Sequence, residues 1–122
     1  MKYLNYVVMN ASDTASHTSD KIDSNQLIGA SFHCIFGDSS VAGSVKIQAS
    51  NDPAPTNYTA VYNFTPTNWV DIPSMSATVT AGAPVLITIP NTSLIYRWMR
   101  VVFTNVSGGS STILVEMMAV SV

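Results

Sequence analysis

This sequence predicts an all-β protein, an antiparallel β-sandwich of jelly-roll type with about eight or nine short strands. Three observations carry that prediction. Runs rich in Val, Ile, Thr, Tyr, Phe and Trp recur along the chain, and none shows a sustained helical period. Breakers separate them: Gly37-Asp38, Asn51-Asp52-Pro53, Thr65-Pro66, the 81–84 stretch, Pro90-Asn91 and Gly108-Gly109. The 43–50 run alternates strictly, with Val45, Ile47 and Ala49 on one face and Lys46, Gln48 and Ser50 on the other. Short strands at this spacing build a sandwich or jelly roll. An immunoglobulin-like sandwich is the alternative, without that fold's paired cysteines.

The first strand is expected over 3–9. Its surroundings imitate a signal peptide, but the apolar stretch is short, broken by Asn5 and soon followed by Asp13. The expectation is a protein made in a cytoplasm without Sec export. From Asn10 to Gln26 the chain turns polar, too long a stretch for a tight hairpin. An arm reaching a neighbouring subunit and a surface loop are the two readings, within one domain spanning 1–122.

The next strands are expected at 27–36 and 43–50, the latter stopped by Asn51-Asp52-Pro53, where short polar side chains bond locally and Pro withholds a ladder donor. Further runs lie at 58–63, 68–72, 75–80 and 85–89, then 95–105 and 111–121, the last two joined through a Ser-Gly-Gly-Ser turn at 107–110. In 95–105, Tyr96, Trp98 and Arg100 share one face, with Arg97, Met99, Val101 and Phe103 on the other. The 111–121 run is apolar on both faces: Ile113, Val115, Met117 and Ala119 form one, and Leu114, Met118, Val120 and Val122 the other, with Glu116 among them. A strand of that kind is doubly covered or pressed against another chain.

Composition narrows the function. Charged residues make up 10% of the chain, against about 25% in a typical soluble domain. Ser, Thr and Asn fill the gap, 37 of 122 residues, a balance that suits a protein whose faces are covered by neighbours. The formal net charge is −2, and the basic residues Lys2, Lys21, Lys46, Arg97 and Arg100 are scattered, which argues against nucleic-acid binding. No apolar run is long enough for a helical membrane span. Five Asn-X-Ser/Thr triplets, at Asn10, Asn57, Asn63, Asn91 and Asn105, are read as chance in a chain so rich in these residues.

Candidate chemistry is sparse. The lone Cys34 excludes an intramolecular disulfide, and adjacent strand residues face opposite ways, so Cys34 and His33 form no dyad. Asp38 and Asp52 sit at strand ends, where turn stabilisation outweighs calcium ligation. His17, His33 and one Cys are too few for a zinc cage. No Gly-x-Ser-x-Gly, phosphate loop or paired-carboxylate motif appears, so no enzyme activity, cofactor or metal is expected. The aromatics Tyr58, Tyr62, Trp69, Tyr96 and Trp98 offer a sugar-binding platform or an interface, and Trp98 is equally a core plug.

The succession Gly43-x-Val-x-Ile-Gln48-x-Ser-Asn-Asp52, then Trp69-x-Asp-Ile72, then Tyr96-Arg-Trp-x-Arg100-Val with its Ser-Gly-Gly turn, resembles small β-sandwich virion proteins of tailed bacteriophages. Capsid decoration (cement) proteins and fibre-associated modules belong to that group. The resemblance covers roughly 22–120. It implies a non-enzymatic virion component that assembles as a homo-oligomer, a trimer in the first place, and contacts the major capsid protein or other virion proteins. Low charge, a doubly apolar last strand and an N-terminal arm place the interface on Tyr3, Tyr6, Val8, Met117, Met118 and Val120, and deletion of 1–20 is expected to spare the fold. The alternative is a carbohydrate- or receptor-binding module of a tail fibre, presenting Tyr58, Tyr62 or Trp98.

Overall fold

A computed structural model describes residues 2–13, 16–53, 63–90, 96–106 and 111–122. Nine strands lie among the described residues: β1 (Lys2–Asp13), β2 (His17–Thr18), β3 (Ile22–Asp23), β4 (Leu27–Phe36), β5 (Gly43–Ser50), β6 (Val70–Val79), β7 (Val85–Ile89), β8 (Trp98–Asn105) and β9 (Ser111–Ser121). The expected strands at 27–36, 43–50, 85–89 and 111–121 fall on β4, β5, β7 and β9. The expected runs at 68–72 and 75–80 are one strand, β6. Its register against β5 slips between the pairs Lys46–Ser76 and Gln48–Asp71, and Ser74 takes a φ of 64° there. A bulge on an edge strand accommodates Pro73 without removing a needed donor, so Pro bends this strand where it was expected to divide two. Most of the expected 58–63 run, and the 107–110 turn, lie outside the described residues.

Strand pairing is nested. β1 pairs with β9, β2 and β3 pair with β8, β4 with β7, and β5 with β6, all antiparallel. The chain thus behaves as one long doubled ribbon, and the cross-pairs β4–β9 and β5–β8 roll it into two sheets. The orders are β1-β9-β4-β7 and β2-β8-β5-β6, with β3 sharing β2's place beside β8. This is the jelly roll expected from the sequence. Inner faces interdigitate around Phe32, Val45, Ile47, Met99, Val101 and Val115, each fully buried. Gly43 marks a close approach: a Cβ there would collide with the carbonyl oxygen of Thr104 on β8.

The polar 10–26 segment is no detached arm in its described residues. Its first part extends β1 along β9 as far as Asp13, and the rest crosses to the other sheet. Between β2 and β3, Ser19 continues the pairing with its own side chain: its N–H donates to the Val101 carbonyl and its Oγ accepts from the Val101 N–H, both at 2.9 Å. The Ser24 hydroxyl donates to the Tyr96 carbonyl at 2.8 Å. Hydroxyls do here what apolar alternation does elsewhere, so hydrophobic periodicity carried no signal. Deleting 1–20 would strip β9 of its outer partner, leaving only β4 beside it, and take Met9 out of the core. The expectation that such a deletion spares the fold is therefore corrected.

Candidate functional site

Two surfaces stand out, one on each sheet. On the outer face of the four-stranded sheet, register places Val7, Glu116, His33 and Leu86 in one row across β1, β9, β4 and β7. The next row holds Asn5, Met118, Ser31 and Thr88, and beyond it come Tyr3, Val120 and Gly29. Tyr3 is 70% exposed, and Val7, Leu86 and Met118 are exposed as well. Exposed apolar groups set among Asn5, Ser31, Thr88, His33 and Glu116 give this face the mixed character of a contact surface.

The expected interface residues divide between this face and the interior. Tyr3 and Met118 lie on it, and Val120 is half-buried there. Met117 is 2% exposed, packed inward with Val115 and Ala119, at the base of the groove between β1 and the 20–27 segment. Even alternation along β9 fixes that split. In β1 the alternation breaks, because the register slips between Val7 and Met9. Val8 sits at this bulge, half-buried against the core, and Met9 is turned inward. Tyr6, opposite Met117, is about half-exposed beside a groove between β1 and the 20–27 segment. His33 and Leu86 are not expected on this face from sequence; Val7 enters only as part of the N-terminal strand, and Glu116 only as a member of the second face of the last strand. The equal apolarity of β9's two faces was the available signal for the outer face, but neighbours on other strands are invisible without register.

The second surface is a cleft on the outer face of the five-stranded sheet. Its walls come from 19–23 and 63–69, and its floor from β8. Trp98 is 1% exposed yet lies outside the inter-sheet core. It is buried from the outside: the Arg97 guanidinium carbon is 4.0 Å from its ring centre, Lys21 Nζ is at 5.4 Å, and the Phe64 ring at 5.7 Å. Its indole N–H donates to the Asp52 carbonyl at 3.2 Å. Trp98 is thus neither the central plug nor an open platform. Arg97, in turn, is ion-paired with Asp23.

Arg100 stacks on Trp69, its guanidinium carbon 4.4 Å from that ring's centre. Its Nε donates to Gln48 Oε1 at 2.8 Å, and Gln48 Nε2 donates to Asp71 at 2.9 Å. The Trp69 N–H donates to the Pro66 carbonyl at 3.0 Å, fixing the indole at the mouth of the cleft. Tyr96 precedes β8 and packs against the core, so it does not join Trp98 and Arg100 on one face. Tyr58 and Tyr62 lie outside the described residues.

The carboxylates at strand ends hold turns. Asp52 accepts from the Asn68 side chain at 2.7 Å and from the backbone N–H groups of Thr67 and Asn68 at 2.7 and 3.1 Å. These bonds, the Asn68 amide first, hold its carboxyl below the usual range. Asp38 caps its own turn by accepting from the Ser40 N–H at 2.7 Å. Among the described residues no group of three or more His, Cys, Asp or Glu side chains is placed to hold a metal ion. Cys34 is fully buried, and desolvation pushes its thiol up to about 11.

No family model and no curated protein matches the chain. Solved structures do share the fold. The PBSX exported protein XepA superposes with a TM-score of 0.64 at 14% identity, over 98% of this chain and 37% of XepA, so the chain spans little more than a third of that protein. The SPBc2 prophage-derived protein YomS gives 0.49 at 15% identity, over 98% and 94% of the two chains. The Triatoma virus capsid gives 0.45 at 11% identity. At 14% identity the likeness to XepA is one of fold alone.

Proposed function

We propose that this chain is a non-enzymatic structural protein of a phage virion, a decoration protein that works through protein–protein contacts. The sequence resemblance to tailed-phage β-sandwich components and the fold shared with the PBSX protein support that setting. The observation that carries the contact role is the outer face of the β1-β9-β4-β7 sheet, where Tyr3, Val7, Met118 and Leu86 are exposed together.

The occupant of that face is a second copy of the chain. Glu116 and His33 are register neighbours at the centre of the Val7–Leu86 row. A two-fold axis between them sets each carboxylate opposite an imidazole and lays apolar flanks on one another, the self-complementarity an isologous contact needs. A dimer is therefore proposed in place of the trimer expected from sequence. Light scattering after size exclusion should give twice the chain mass for the native protein and the chain mass for the double variant Val7→Lys, Met118→Lys. A native monomer would refute the contact. Recovery of the protein only in the particle-free fraction of a phage lysate would refute the virion assignment.

A further inference from the structure

The cleft between 19–23 and 63–69 has the size and the construction of a ligand site. It encloses about 750 Å³ and is lined by Asp20, Lys21, Asn63, Thr65, Trp69 and Arg100, among others. Ligand pockets generally fall at roughly 300–1,000 Å³. The Trp69–Arg100 side of the lining is held in place before any ligand arrives. Trp69 is fixed by the Pro66 carbonyl and by Arg100, Arg100 by Gln48, and the 67–68 wall by the Asp52 carboxylate. Pre-fixed donors and acceptors reduce the ordering cost of binding.

Several polar groups in this lining make no hydrogen bond among the described residues. Of the Arg100 guanidinium only Nε is engaged among the described residues. The Asp20 carboxylate, the Asn63 amide and the Thr65 hydroxyl have no side-chain hydrogen bond among the described residues either. Donors and acceptors are therefore interleaved around a half-exposed indole. The charges in the lining are mixed, Asp20 and Asp23 against Lys21 and Arg100, with Asp23 paired to the neighbouring Arg97, so the site lacks the dense basic cluster a polyanion needs. A ligand that fits is uncharged, presents hydroxyls that both donate and accept, and carries C–H faces able to pack on an aromatic ring.

We propose that this cleft binds a neutral saccharide, with Asp20 and Asn63 meeting adjacent hydroxyls, Arg100 donating to a sugar oxygen and Trp69 packing on a ring face. The site lies on the sheet opposite the apolar face, so it operates independently of the assembly contact.

The chain has two tryptophans, and both line this cleft, so intrinsic fluorescence reports on it directly. The full chain would be screened on an array of neutral and acidic microbial and plant glycans, and array hits titrated by tryptophan emission. The expected result is a saturable emission change with at least one neutral oligosaccharide, weakened ten-fold or more in Asp20→Ala and in Asn63→Ala. Both residues are exposed, and unchanged thermal unfolding of the variants would confirm that the fold is kept. No neutral hit, binding confined to acidic glycans, or affinity indifferent to both substitutions would overturn the proposal.

Discussion

Arg100 of β8 reaches across β5 to stack on Trp69, which stands just ahead of edge strand β6, with 4.4 Å between the guanidinium carbon and the ring centre. The intervening Gln48 is the register partner of both Arg100 and Asp71, and it bonds to each of them. One row of side chains thus spans three strands and fixes the mouth of the cleft. Replacing Arg100 with Ala removes a cation–π contact and a charge-assisted hydrogen bond, an expected loss of about 1–2 kcal/mol. Urea denaturation checks the magnitude, and a change in tryptophan emission should accompany it.

Asp52 ties the 63–69 segment to the end of β5, and its pH dependence has a definite sign. Its carboxyl is held below the usual range in the folded protein by Asn68 and Thr67, so the clamp stabilises the fold fully above the unfolded value of about 3.9. That contribution is lost as pH falls through the lower folded value. The melting-temperature difference between the native protein and Asp52→Asn should therefore be greatest near neutrality and shrink on acidification. A difference that grows towards low pH would contradict this role.

Met117 and Met118 are sequence neighbours with opposite fates. Met117→Ala opens a cavity in the core and should cost about 2–5 kcal/mol, whereas Met118→Ala, exposed in the single chain, should stay within about 0.5 kcal/mol when measured on protein diluted below dimer dissociation. Chemical denaturation of the two variants tests the facing of β9. Equal costs would mean that the strand is covered on both sides within one chain.

Cys34 is a core residue by the same geometry. With its thiol pushed up to about 11 by burial, the native protein should show almost no reaction with a disulfide reagent at pH 8, and one reactive thiol per chain once unfolded. Rapid labelling of the native protein would place Cys34 at the surface.

Local patterning alone set the β class, the bounds of β4, β5, β7 and β9 and the division of β9 into two faces, though not which of them points inward. Each depends on local alternation or on a turn residue acting within a few positions. Tertiary structure decided the rest. That β1 pairs with β9, that Ser19 replaces a ladder residue on β8, and that Pro73 bends one strand where two were expected all depend on partners distant in sequence. Trp98 shows the limit most clearly. Alternation put it on the face with Arg100, but Phe64, Lys21 and Arg97 bury it from outside the sandwich. Periodicity reports which face of a strand a residue takes; what covers that face is set by segments brought there only when the ribbon rolls.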